Sequence, residues 1–70
     1  MASIRELRLM VGLSQENLAR RARTSRYRLS AAETGYGSLE PWEERVLRDA
    51  LADYSRERHV AFLGRLREAR

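Results

Sequence analysis

The segment from Ser14 to Gly35, SQENLARRARTSRYRLSAAETG, constrains this chain more than any other. Leu18, Ala19 and Ala22 share one helical face, and Leu29 and Ala32 repeat the spacing of a buried stripe after a short gap. The segment therefore reads as two short helices joined by a tight turn. Ser14 and Ser25 stand where each helix needs an N-cap.

Arg20, Arg21, Arg23, Arg26 and Arg28 put five cations into nine residues of this unit, the footprint of a polyanion partner. With Ser25 as cap, Arg26 and Arg28 fall in the first turn of the second helix. The macrodipole is already positive there, and acids are preferred by about 0.3 to 1 kcal/mol each. Such a broken rule is expected at a functional site, and phosphates would supply the missing negative charge.

IRELRLMVGLSQENLARRA followed by TSRYRLSAAETG resembles the helix-turn-helix (XRE-like) repressor family of lambda repressor and Cro. The matching residues are Leu7 and Arg8, Gly12 to Gln15, Leu18 and Ala19, Ser25, Leu29, and Glu33 with Gly35, and the resemblance covers residues 3 to 52. It implies an all-α, compact four- to five-helix DNA-binding domain. Three residue roles also follow from it. Arg8 pairs with Glu33 and fixes the first helix against the third, with direct phosphate contact by Arg8 as the alternative. Gln15 bonds the DNA backbone and buttresses the recognition helix. The chain departs from the family in the turn, where Arg23 and Thr24 replace the usual glycine and aliphatic residue. A left-handed Arg23 would cost about 1 kcal/mol relative to glycine.

Seventy residues allow one domain, and a domain of this size buries only about 60% of the surface its unfolded chain exposes, which makes oligomerisation a natural remedy. Residues 1–39 hold seven arginines against three glutamates, whereas residues 40–70 hold seven arginines against seven acids, so the net charge of +4 belongs to the first half. All fourteen basic residues are arginine, which a GC-rich genome would explain. Their clustering carries the argument, and their number does not. The chain has no cysteine, its first ten residues lack the apolar run of a signal peptide, and no stretch approaches the ~20 apolar residues of a membrane span. The expectation is a soluble, cytoplasmic protein without disulfides, cofactor or bound metal.

Residues 3–11 read as a first helix capped by Ser3, with Ile4, Leu7 and Val11 inward, Gly12 ending it and Leu13 entering the core. Residues 15–22 form the second, in which Arg20 and Arg21 either solvate the helix end or contact phosphate. The third runs from about Ser25 to Glu33. If Leu29 and Ala32 face inward, Tyr27, Ser30, Ala31 and Thr34 turn outward, with Arg26 and Arg28 on the flanks. Arginine reads guanine O6 and N7, while Tyr or Ala meets a thymine methyl or a phosphate, so Arg26, Tyr27, Arg28, Ser30 and Ala31 are the candidate major-groove residues. Tyr36, in the Gly35–Gly37 loop, either contacts a phosphate or packs on the domain.

Ser38 or Glu40 caps a further helix with Pro41 in its first turn, and Trp42, Val46, Leu47, Ala50, Leu51 and Tyr54 form its core stripe. Ser55 is a candidate cap for a separate fifth helix, the favoured arrangement; one helix from Pro41 to Ala69 is the alternative. Residues 1–54 would then be the DNA-binding unit and 55–70 a dimerisation helix carrying Phe62, Leu63 and Leu66. This apolar strip either folds back on helices 1 and 4 or meets a second copy.

No enzyme reading survives, because His59 stands alone and nothing orients a nucleophile beside it. The sequence points to a sequence-specific regulator of double-stranded DNA, a homodimeric repressor on an inverted repeat, without a small-molecule substrate. A protein-interaction module or an antitoxin on the same fold is the competing class.

Overall fold

The computed structural model describes residues 2–68, with side chains described through His59. It contains four helices and no strand among those residues: α1 (Ile4–Val11), α2 (Gln15–Ala22), α3 (Arg26–Thr34) and α4 (Pro41–Glu68).

The three short helices are built on one plan. Each opens on a serine whose Oγ accepts a backbone N–H three residues on: Ser3 from Glu6 at 3.1 Å, Ser14 from Asn17 at 3.0 Å and Ser25 from Arg28 at 3.4 Å. Each closes on a left-handed residue, Gly12 (φ 78°), Arg23 (φ 57°) and Gly35 (φ 85°). The residue after each donates its N–H back across the last turn: Leu13 to the Arg8 carbonyl at 3.1 Å, Thr24 to Ala19 at 2.9 Å, and Tyr36 to Ala31 at 2.8 Å. All three expected serine caps are therefore in place, and Arg23 adopts the strained conformation that its position in the turn demands.

The core consists of Ile4, Leu13, Leu18, Ala19, Leu29, Leu47, Ala50 and Leu51, with Leu7, Val11, Ala22, Leu39 and Tyr54 packed at its edge. Leu18 and Leu47 are fully covered. Burying a side chain of this size contributes about 1.5 to 3 kcal/mol. Ala19, 2% exposed, lets α2 and its neighbours approach closely.

Two expectations about the second half are corrected. Trp42 is 56% exposed and stands outside the core. The phase of α4 is set by Leu47, Ala50 and Leu51, and one turn back from Leu47 the inward position belongs to Glu43, which is buried. The favoured break at Ser55 is also absent, because α4 runs unbroken from Pro41 to Glu68. Its turn around Ser55 contains no Gly or Pro, carries an Asp53–Arg56 ion pair, and is docked from both sides. Arg21 reaches Glu57 at 3.1 Å and Arg58 donates to the Val11 carbonyl at 2.9 Å. Phe62, Leu63 and Leu66, the expected dimer strip, lie outside the described side chains. No helix among the described residues is long and apolar enough to cross a membrane.

Candidate nucleic-acid interface

Helix α3 is held at both ends by a bidentate Arg–Glu pair. At its C-terminal end the acid is its own. Arg8 of α1 donates from Nε to Glu33 Oε2 at 2.9 Å and from Nη2 to Oε1 at 2.8 Å, while its Nη1 bonds the Leu13 carbonyl at 2.8 Å. Gln15 Nε2 donates to the same Oε1 at 3.1 Å. The side chains of the pair are only 10% and 5% exposed. Burial alone would push the Glu33 carboxyl up, but the hydrogen bonds from Arg8 and Gln15 and the nearby charges of Arg8 and Arg5 outweigh it and hold it below the ordinary range. The Arg8–Glu33 pairing is as expected, and the Gln15 bond to Glu33 is the expected buttress on α3.

At the N-terminal end the cation belongs to α3 and the acid comes from α4. Arg28 donates from Nε to Glu43 Oε2 at 2.7 Å and from Nη2 to Oε1 at 2.6 Å. Oε1 also accepts the Glu40 N–H at 2.9 Å, the return bond by which a third-position glutamate closes a helix cap. Glu43 thus caps α4, with Pro41 in the first position, and fastens it to α3. The Arg28 hydrogen bond, then the Glu40 N–H, push the Glu43 carboxyl down to about 2, and the same pair raises the Arg28 guanidinium. Part of the negative charge missing from the first turn of α3 is therefore supplied inside the fold, and Arg28 does not depend on phosphate for it. Arg26 has no paired acid among the described residues.

The other expected contact residues divide by exposure. Arg26 is exposed and Tyr27 is 82% exposed, and neither side chain has a hydrogen-bond partner among the described residues. Tyr36 projects from the loop at 91% exposure. Ser30 and Ala31 are half-buried. The loop crosses beside Ala31 so closely that a Cβ on Gly37 would lie 3.4 Å from the Ala31 Cβ. Arg20 pairs with Glu16 at 3.1 Å on an open surface, a contact worth little in water and easily exchanged for a phosphate. Arg21 turns toward α4, bonding Glu57 and lying 4.6 Å from the centre of the Tyr54 ring.

Two residues of this surface carry more than the sequence gives them: Arg23, which it counts only within the cation cluster and the turn, and Glu43, to which it gives no role. Arg23 is exposed at the turn, without an ion-pair partner among the described residues. Glu43 reads in the sequence as an ordinary first-turn acid. Its spacing was the available signal: three residues after Glu40 and four before Leu47, a position both cap-forming and inward.

No family model, curated protein or solved structure matches this chain.

Proposed function

We propose that this chain is a sequence-specific regulator of double-stranded DNA, a homodimeric repressor that lays the N-terminal half of α3 in the major groove. One observation carries the reading. The first turn of α3 presents Arg26 and Tyr27 to solvent on a rigid support, with Arg20, Arg23 and Gln15 on the adjoining α2 and turn, while Glu33 and Glu43 are neutralised by internal arginines. A helix start that is positive by dipole and by side chain suits a phosphate-lined groove. A second copy, joined through positions 62, 63 and 66, would set two α3 helices about 34 Å apart on an inverted repeat. Its place of work would be the cytoplasm.

A competing reading, a protein-interaction module, takes support from Leu9 and Met10, which are 58% and 79% exposed side by side on α1. Binding to duplex DNA across a salt series separates the two. A groove binder loses affinity with a log–log slope of about −0.9 per phosphate neutralised. Within that experiment Arg26→Ala should cost about 1 to 3 kcal/mol at the preferred site and relax one base position, whereas Arg20→Ala weakens all duplexes alike. Absence of salt-dependent duplex binding would overturn the proposal.

A further inference from the structure

Arg28 and Glu43 form more than a fastening between α3 and α4. Glu43 engages the Nε and Nη2 side of the guanidinium at 2.7 and 2.6 Å. The third bond to its carboxylate, from the Glu40 N–H at 2.9 Å, fixes the acid in turn. Nη1 has no partner among the described residues, and the one further contact of Nη2, to the Ser38 carbonyl, is 3.5 Å long and therefore weak. The pair is also unequally covered: the Glu43 side chain is 2% exposed and that of Arg28 48%. The acid is hidden, whereas about half of the Arg28 side chain reaches solvent, with Nη1 unpartnered among the described residues and the second Nη2 N–H held only by the weak Ser38 contact.

We infer that Glu43 is a positioning residue that holds Arg28 ready to read a base with two hydrogen-bond acceptors on its major-groove edge, guanine O6 and N7. The inference rests on the proposed DNA-binding role of α3 and adds to it a second residue, beside Arg26, that sets preference at a base position of its own. Two physical arguments support it. A side chain ordered before DNA arrives loses little rotamer freedom on binding, whereas Arg26, in the same turn and unpartnered, must be immobilised at that moment. Charge gives the second argument. The Arg28–Glu43 unit is neutral as a whole, so it gains little from an anionic phosphate, yet Nη1, together with Nη2 once the weak Ser38 contact is exchanged, can donate to the uncharged acceptors of a base.

The test is selection of bound duplexes from a random pool, with affinity measured across a salt series for wild type, Glu43→Gln, Arg28→Ala and Arg28→Lys, each checked for native helicity. Glu43→Gln leaves a hydrogen-bonding side chain in place but frees a net positive charge. Affinity for random duplex should therefore rise, with a salt slope steeper by about 0.9, while preference at one G·C position falls about tenfold or more. Arg28→Ala should lose preference at the same position, and adding Glu43→Gln to it should lower that preference no further. If Glu43→Gln does not fold, Arg28→Lys decides, because it keeps the charge and loses the fork, and should flatten the same position. Wild type that binds no duplex overturns the DNA-binding reading and this inference with it. Wild type that selects a site whose base preferences survive in folded Glu43→Gln or Arg28→Lys overturns the inference alone. So does a uniform loss at every position.

Discussion

The two ends of α3 carry the same kind of bond and differ in nearly everything else. At the C-terminal end Gly35 takes the left-handed cap, Glu33, an acid in the last turn, is offset by Arg8 and buried with three hydrogen bonds, and Arg8 spends all three nitrogens inside the fold. At the N-terminal end several local requirements are left unmet. Arg23 holds a left-handed conformation that favours glycine, the Thr24 hydroxyl is buried without a partner among the described residues, Arg26 stands without a paired acid among them in a positive first turn, and Arg28 is half in water. One end is closed on the fold, and the other accepts a left-handed arginine where the chain is most cationic. Local violations of this kind are in keeping with the partner surface proposed above.

The comparison is tested most severely by cutting each clamp. Arg8→Met leaves Glu33 buried and unpaired, and should destabilise the fold by about 3 to 5 kcal/mol in urea unfolding. The double change with Glu33→Leu should recover much of that, since an apolar pair replaces the ion pair. Additive losses in the cycle would mean that the two side chains do not act together. Glu43→Gln should cost clearly less than Arg8→Met, because Arg28 remains half exposed to water. The reverse order would break the distinction between a closed end and an open one.

Acid titration should register both clamps, and its sign is fixed by the carboxyls. Glu33 and Glu43 each sit below the ordinary glutamate range in the folded chain, so the unfolded chain binds protons more readily. Their contribution is complete above the unfolded value, about 4.3, and is lost as pH falls through the folded values, which for Glu43 lies at about 2. Stability measured by denaturant should hold between pH 7 and 5 and then decline through this window. Glu43→Gln should show a shallower decline, and an unchanged slope would mean that the Glu43 carboxyl takes no part in it.

The difference between the ends also explains what could be read from the sequence. The caps at Ser3, Ser14 and Ser25, the Gly12 and Gly35 stops and most of the apolar stripe positions are local patterns that appear in the fold. Arg8 and Glu33, twenty-five residues apart, were paired through the family resemblance. The Arg28–Glu43 clamp had no such guide. It depends on the angle at which α4 leaves the Gly35–Glu40 loop, a tertiary quantity that no spacing encodes. The same limit applies to Trp42: a stripe counted from aromatic and aliphatic residues places it inside, whereas the inward phase fixed by Leu47 places Glu43 there. Ser55 misled in a different way, because a cap residue ends a helix only where the chain has another course to take, and Arg21 and Arg58 hold that turn in place.

The smallest expected effects lie at the turn entering α3, and they ask whether its strain is retained for a use. Arg23→Gly removes the left-handed penalty and should stabilise the fold by about 1 kcal/mol. Thr24→Val removes a buried hydroxyl that lacks a partner and should add a similar amount, about 1 kcal/mol. At the other end the corresponding change, Gly35→Ala, should cost about 1 kcal/mol, since φ there is 85°. Thermal unfolding of the three variants measures these differences directly. Duplex binding then separates the two turn residues. Thr24→Val should leave affinity unchanged, because the hydroxyl is buried, whereas Arg23→Gly should lower it for all duplexes and reduce the salt slope by about 0.9, one phosphate's worth. A more stable Arg23→Gly variant with undiminished affinity would show that the arginine costs stability without serving the interface, and the contrast between the two ends of α3 would then rest on Arg26 and Arg28 alone.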